Sequence, residues 1–553
     1  MYLRLLSPLL LCCCSLFGAA ASQENLPPSG DQIIRLPEIS ITETMKLRPE
    51  EKWLTGTVGN FEVFSTASEK NTREFVASLH KFHQAFTSLF PNAKAAAQKK
   101  ITLVLCDKVE KFEALMPTQE SRNDRAMVSH FAADEFQTVF LINMDLESVT
   151  ISSAGTTMVE GEYMRANVDR NASDLIEKNE PIRREYLHLI FRQFPQRVPP
   201  WAEEGTIQFF LSMKIEDKRI TWGEIDKEFI NSFTARALLP LPKLFSITYD
   251  SPEYLQSLGS MFSAQSRALV HLCMFGNKGK YQKPLLQLID RSAHEPVTEE
   301  LFKQIFGINY RQMEDLISDY IDRKFYKHII APKTATFSEL PAFELRETTD
   351  AESGRIKGET LRLVKRYDDA RIELLSAIIR KHTDGRLLGA LGQLDFETGN
   401  LKSARKYLEE STAAKVDAPA PYLALARLRL QDALSQNPSA KLAPAQLQQI
   451  LTPLFAALEL NQPPVEIYTL IADAWDRSQI APSFDNLVVL DQGVIAYPRN
   501  TDLILKNATL KARHGFTDDA RSVAELGLKT ARNSADRARF SQFIATLPAP
   551  VSK

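Results

Sequence analysis

The chain has few cysteines and no excess of charge of either sign. Three of its five cysteines are Cys12, Cys13 and Cys14, and beyond them only Cys106 and Cys273 occur, each in an apolar run. This pattern favours two buried thiols over a disulfide framework. Because 67 Lys and Arg residues face 69 Asp and Glu residues, we expect no nucleic-acid partner. Beyond the start of the chain no apolar run is long enough for a stable membrane span, so none is expected in the mature protein.

The start of the chain has the composition of an export signal. A single positive charge at Arg4 precedes a mostly apolar run over residues 5–17, and alanines follow before residue 22. A charged end, a short apolar core and small residues are typical of a secretory signal peptide. We therefore predict a signal peptide at residues 1–21 and export to the periplasm or the extracellular space. A lipoprotein signal is the weaker alternative, because Leu11 precedes Cys12 where a small residue is needed.

The next part of the chain is predicted to be a linker followed by one α+β domain. Residues 22–52 combine proline and glycine with mixed polar residues, as linkers do. An amphipathic helix pattern at 72–90 and apolar strand patterns at 101–106 and 138–143 come next, and further helix patterns follow. Strands first and helices later predict an α+β domain with segregated halves over residues 53–345.

Residues 350–545 contain an internal repeat. Four positions recur at a constant offset (401 − 367 = 34), and they alternate large and small side chains: Tyr367/Leu401, Ala370/Ala404, Leu374/Leu408 and Ala377/Ser411. A helix–turn–helix unit of this period is typical of tetratricopeptide (TPR) arrays, in which each repeat contacts mainly its neighbours. We predict an all-α TPR-type helical array that folds by itself and binds a protein or peptide in its groove. A generic helical bundle is the alternative.

A zinc-peptidase motif with one ligand missing lies between residues 184 and 205. A His-Glu-x-x-His helix places two imidazoles one turn apart on one face, with the glutamate beside the metal-bound water. Here the corresponding residues are Arg184, Glu185 and His188, and Glu204 follows sixteen residues later (204 − 188). A guanidinium stays protonated and has no lone pair to offer a metal. The first ligand position is therefore lost.

With the segment Trp201-Ala202-Glu203-Glu204-Gly205, the motif resembles the gluzincin-like (peptidase-MA-like) proteins of bacteria. The resemblance covers roughly residues 53 to 330 and includes Ser263 and its neighbours at the start of a later helix. It implies a zincin-like α+β fold, in which Glu185 matches the general base and His188 and Glu204 match the second and third zinc ligands. Arg184 departs at the first ligand, Ser263 where relatives often have Tyr, and Gln208 where many have Glu. These departures imply lost hydrolytic activity.

Two function classes follow from this damaged site. In the first, the chain is an exported, catalytically degenerate peptidase-like protein that needs no cofactor and binds a protein or peptide through its TPR array. Arg184 would then stand in for the metal and pair with one or both of the carboxylates of Glu185 and Glu204. In the second, the chain is a divergent zinc-dependent hydrolase that tolerates Arg184. The six other histidines of the domain lack metal spacing to the helix, so we favour the first.

Overall fold

A computed structural model describes most of the chain beyond residue 50. The described residues are 51–89, 100–118, 128–145, 180–192, 198–216, 218–225, 229, 233, 237–255, 260–292, 295–322, 326–332, 340–435, 437–460, 463–531 and 534–548. The chain divides into two compact units, Met1–Lys46 and Leu47–Lys553, and every described residue belongs to the second. The predicted signal peptide and all but two residues of the predicted linker lie outside the described residues.

Two β-sheets organise the N-terminal part. The strands are β1 (Leu54–Val58), β2 (Phe61–Ser65), β3 (Ile101–Cys106), β4 (Ser129–Ala133), β5 (Thr138–Asn143), β6 (Lys214–Ile215), β7 (Arg219–Trp222), β8 (Ile329–Pro332) and β9 (Arg346–Glu347). The larger sheet has the strand order β4-β5-β3-β2-β1-β9, and the smaller has the order β6-β7-β8. Apolar side chains dominate β3 and β5, and these two strands lie at the interior of the larger sheet.

The larger sheet mixes parallel and antiparallel pairs. Strand β2 pairs with β3 in parallel, as does β3 with β5, while β1–β2, β4–β5 and β1–β9 are antiparallel. A parallel pair needs a crossover connection, and helix α1 (Glu69–Leu89) supplies it between β2 and β3. Helices and strands therefore alternate in this half of the domain. Helices predominate after β5, but β6, β7 and β8 lie among them, so the segregated arrangement expected from the sequence holds only in part.

Helices fill the rest of the N-terminal part. After α1 they are α2 (Val109–Leu115), α3 (Glu180–Arg192), α4 (Pro200–Leu211), α5 (Leu241–Ser246), α6 (Pro252–Leu255), α7 (Met261–Phe275), α8 (Gln282–Ser292), α9 (Glu299–Phe306) and α10 (Tyr310–Ile321). One hydrophobic cluster connects the sheet to these helices, and Tyr186 and Trp201 are completely buried in it. The thiols of Cys106 and Cys273 are free and buried, as predicted.

The C-terminal part is a helical repeat array. Its helices are α11 (Asp350–Leu363), α12 (Tyr367–Ile379), α13 (Gly385–Glu397), α14 (Leu401–Ala413), α15 (Pro419–Leu434), α16 (Pro444–Leu458), α17 (Val465–Asp476), α18 (Phe484–Ala496), α19 (Thr501–Arg513), α20 (Thr517–Thr530) and α21 (Ser534–Thr546). Successive first helices of the pairs, α11, α13, α15, α17 and α19, contact one another as one layer. Within the described part of the chain, no helix has the length and apolar character needed to cross a membrane.

The turns and close contacts of the array repeat with the sequence period. Lys365 and Gly399, one period apart (399 − 365 = 34), both end a first helix with positive φ, 64° and 82°. Gly358 and Gly392 are also one period apart (392 − 358 = 34), and each lies against a leucine of the following helix. A Cβ at Gly392 would lie 2.8 Å from Cγ of Leu408, so only glycine allows this approach. The predicted helical repeat is therefore confirmed at the level of its backbone geometry.

The array contacts the larger sheet as well as its own repeats. Among the described residues, the array supplies the cation in four ion pairs with the larger sheet and the residues next to its strands: Arg355–Glu62 at 2.8 Å, Lys357–Glu51 at 3.1 Å, Arg362–Asp134 at 2.6 Å and Arg427–Glu135 at 2.5 Å. Where the chain passes from β9 into α11, Arg346 of the sheet pairs with Glu352 of the array, so here the array supplies the anion. The repeat pattern predicts an array that folds by itself, with repeats that contact mainly their neighbours. The contacts with the larger sheet were not expected from it.

Candidate functional site

Three helices bring the residues of the damaged motif together. Arg184 and His188 lie one turn apart on α3, so both point to the same side, toward α4. Helix α4 starts after Pro199 with a second proline in its first turn, which fixes its entry. Helix α7 packs against α4 at Gly205, where a Cβ would lie 2.5 Å from the carbonyl oxygen of Ser266. The glycine of the motif therefore permits the close helix packing at the site.

Glu204 on α4 is the centre of the first polar network. Its side chain is completely buried, and its Oε2 lies 2.7 Å from Nη2 of Arg184, whose side chain is 11% exposed. Its Oε1 accepts hydrogen bonds from Ser263 on α7 at 2.5 Å and from Gln208 at 3.0 Å. Burial alone would raise the pKa of Glu204, but Arg184, His188 and the two hydrogen bonds together lower it below its ordinary value. Glu204 is thus a buried carboxylate held in its charged form.

A second network surrounds Glu203, the neighbouring carboxylate. His188 Nδ1 lies 2.6 Å from Oε1 of Glu203. The hydroxyl of Tyr249 donates to Oε2 at 2.6 Å, and that of Tyr254 donates to Oε1 at 3.0 Å. Burial and the nearby Glu203 raise the pKa of Tyr254 far above its ordinary value, so this hydroxyl keeps its proton. Glu203 fixes the orientation of His188 and leaves its Nε2 facing Glu204, 3.9 Å from Oε2.

Glu185, the residue that matches a general base, has a different environment. The residue keeps partial surface exposure, but its carboxyl group lies deep among protein atoms, and this desolvation raises its pKa. The charges of His188, Arg192 and Arg184 and a hydrogen bond from the backbone of Phe131 oppose that rise without cancelling it. The pKa values of the two carboxyl groups are therefore shifted in opposite directions: that of Glu204 is lowered and that of Glu185 is raised.

The side chains present do not fit a zinc ion. His188 and Glu204 lie side by side, as the resemblance implies, and could supply two ligands. The first ligand position holds the guanidinium of Arg184, which already contacts Oε2 of Glu204 and cannot bind a metal. Within the described ranges, no group of three or more His, Cys, Asp and Glu side chains is placed to hold a metal ion. We derive no chemistry through zinc at this site.

Sequence reasoning missed three residues of the site. Glu203, Tyr249 and Tyr254 form the network that orients His188. The repeated glutamate in Ala202-Glu203-Glu204 was a signal for the first of them, because two adjacent buried carboxylates each need a partner. The two tyrosines carried no such signal, since they lie 46 and 51 residues further along and reach Glu203 only through the tertiary fold.

Comparisons with known proteins assign no family. No family model and no curated protein matches the chain. A thermophilic TPR protein from Thermus thermophilus, TTC0263, is similar at 16% identity over 35% of this chain and 99% of its own, with a TM-score of 0.24. Yeast Tom70 is similar at 12% identity over 72% of this chain and 77% of its own, with a TM-score of 0.26. These scores are too low to carry an argument, so the description of the array rests on its own helices and their period.

Proposed function

We propose that the chain is a scaffold that binds a protein or peptide through its helical array and is not a working peptidase. The first helices α11, α13, α15, α17 and α19 form a continuous layer, and in TPR arrays such a layer lines the groove that receives helices and extended peptides. With the predicted signal peptide, we further propose that this binding takes place outside the cytoplasm. No cofactor is part of the proposal.

The ion pair between Arg184 and Glu204 carries the second half of the proposal. In a zincin the buried glutamate is neutralised by the metal, whereas here a guanidinium 2.7 Å away neutralises it. The charge of Glu204 is therefore balanced without a divalent cation. The same guanidinium stands at the first ligand position of the motif, where it offers no lone pair to a metal.

One observation favours a divergent hydrolase as the second candidate. Glu185 lies close enough to His188 to be influenced by its charge, and its pKa is raised. Carboxyl groups with perturbed pKa values occur often in active sites. Buried structural ion pairs perturb pKa values in the same way, and Arg184–Glu204 on the same two helices is a buried ion pair. We therefore rank hydrolysis below scaffolding.

Site-specific photo-cross-linking tests the binding half. In the test variant a photoreactive amino acid replaces Gln393, which is half-buried on α13, the first helix of its repeat. In the matched control it replaces Leu526, which is 36% exposed on α20, the second helix of its repeat. We expect adducts with a specific protein from Gln393 and few from Leu526. Equal labelling at both positions, or none at Gln393, would contradict binding in the layer of first helices.

Zinc analysis and a peptidase assay test the other half. After dialysis the purified protein is expected to hold far less than one zinc ion per chain and to leave a broad peptide library uncut. Near-stoichiometric zinc that is lost in His188→Ala, or cleavage that is lost in Glu185→Gln, would establish the hydrolase instead.

A further inference from the structure

The turn between β4 and β5 has a fixed conformation. The backbone N–H of Asp134 donates to the carbonyl of Gln137 at 3.0 Å. Oδ1 of Asp134 accepts the backbone N–H groups of Phe136 at 2.8 Å and of Gln137 at 2.9 Å. The side chain of Asp134 therefore caps its own turn. The sequence Asp134-Glu135-Phe136 is presented as a preformed tip, which we name the hairpin tip.

Two arginines of the array hold the carboxylates of the hairpin tip. Arg362 on α11 donates to Oδ2 of Asp134 at 2.6 Å and to Glu397 on α13 at 2.6 Å. Arg427 on α15 donates to both oxygens of Glu135, at 2.5 and 3.1 Å. The contacts thus involve three successive first helices. Arg362 is only 4% exposed, whereas Arg427 and Glu135 are 39% and 32% exposed.

The third residue of the hairpin tip places an aromatic ring against the array. Phe136 is partly buried and packs against the hydrophobic cluster of the repeats, which includes Tyr422, Leu423 and Ala426 of α15. The other described apolar residues of the N-terminal part that lie in a large hydrophobic cluster all lie in that of the sheet and its helices. Phe136 lies in the cluster of the repeats instead. The layer of first helices therefore already accommodates a turn with two carboxylates and one aromatic side chain.

From these contacts we infer that the hairpin tip is an internal ligand of the array, and that a partner bearing the same acidic–aromatic turn binds there by displacing it. The inference rests on the proposed scaffold function and specifies its ligand chemistry. Cationic side chains at a fixed spacing select the two carboxylates, and the apolar surface beside Arg427 selects the ring. The ion pair Arg427–Glu135 is partly exposed and therefore weak in water, whereas Arg362 is nearly buried, so exchange for an external tip begins at Glu135 and Phe136.

A labelled probe peptide measures this exchange. The probe is a fluorescein-labelled peptide of residues 132–138, closed into a ring by flanking cysteines, and its binding to the full-length protein is followed by fluorescence anisotropy. The double variant Glu135→Ala, Phe136→Ala removes two of the three side chains by which the tip occupies the array and leaves the contact of Asp134 with Arg362. We expect it to bind the probe roughly tenfold more tightly than wild type does. Glu216→Ala, which removes an acidic residue from the turn before β7, is the matched control and should bind as wild type does.

Substitutions of the array separate recognition from general effects on folding. Adding Arg427→Ala to the double variant should return probe binding to the wild-type level or below. In an Arg427→Glu protein that carries the same double substitution, a probe with Lys in place of its Glu should bind more tightly than the original probe. Circular dichroism verifies that each variant is folded. Equal binding to wild type and the double variant, or no effect of Arg427, would overturn the inference.

The cross-linking result distinguishes this failure from failure of the scaffold function. Adducts at Gln393 without probe binding would refute the acidic–aromatic ligand and leave the scaffold function standing. Absence of both would refute the two together. Probe binding that increases in the double variant supports the inference, whichever protein is found at Gln393.

Discussion

Replacement of Arg184 by alanine tests whether a guanidinium has taken the place of a metal ion. The variant keeps Glu204 completely buried but removes its nearest positive charge. Loss of one partner of a buried ion pair typically costs about 3–5 kcal/mol. Ser263 and Gln208 still donate to Oε1 of Glu204, so we expect a loss at the lower end of that range, about 3 kcal/mol.

The pH dependence of this loss identifies Glu204 as its source. In the wild type the folded-state pKa of Glu204 lies below the ordinary value of 4.5, so its contribution to stability is present above that value and is lost as pH falls through the folded pKa. In Arg184→Ala the largest influence that offsets the burial of Glu204 is lost, so its folded-state pKa should rise and the folded variant should bind a proton at higher pH than the wild type does. The difference in stability between wild type and variant should therefore be larger at pH 7 than at pH 4, because it shrinks as pH falls from the raised folded-state pKa of the variant to the lowered folded-state pKa of the wild type.

Urea unfolding followed by tryptophan fluorescence measures both effects, since Trp53, Trp201 and Trp222 are buried in the N-terminal part. Lys70→Ala is the control, because it removes an exposed member of an ion pair on α1 and should change stability by no more than about 0.5 kcal/mol. If Arg184→Ala unfolds like this control at pH 7, or if its deficit is the same at pH 7 and pH 4, the charge-replacement argument fails.

Three further predictions concern the same helices and the array. Arg184→His should gain about 2.7 kcal/mol when free zinc is a hundredfold above its dissociation constant, read as a rise in melting temperature that wild type lacks; a variant indifferent to zinc would contradict the matched ligand set. Tyr254→Phe should lose about 1–2 kcal/mol, because Glu203 loses a buried donor, and an unchanged urea midpoint would contradict this. Gly392→Ala should cost about 1–3 kcal/mol by collision with Leu408, whereas a melting temperature at or above that of wild type would show that the helices can separate.

The sequence predicted the elements of the site better than its connections. Local spacing was sufficient to place Arg184 and His188 on one helix face, and the Trp201–Gly205 segment on a second helix, because such patterns depend on neighbouring residues. The contact of Arg184 with Glu204 followed from charge. The partners of Glu203 did not, since a tyrosine 51 residues away (254 − 203) enters the site only when α6 packs on α4.

The fold shows the same division between local and distant information. The repeat period predicted the helices of the array and the position of their turns, because each repeat is a local unit. It could not predict that the array would contact the larger sheet, where Arg362 meets Asp134 across 228 residues. The parallel pairing of β2 with β3 was also missed, since apolar strands alone do not reveal their neighbours.

The division of charge between the larger sheet and the array has a consequence for how the chain assembles. The carboxylates of Glu51, Glu62, Asp134 and Glu135 lie on the part that leaves the ribosome first, and the cations that meet them are synthesised much later. Arg362, for example, follows Asp134 by 228 residues. Domains generally fold in that order during synthesis. We expect the folded sheet to repel other copies of itself and to attract the emerging array over roughly 8 Å at physiological ionic strength. The interface would thereby favour docking within one chain over pairing between two unfinished ones.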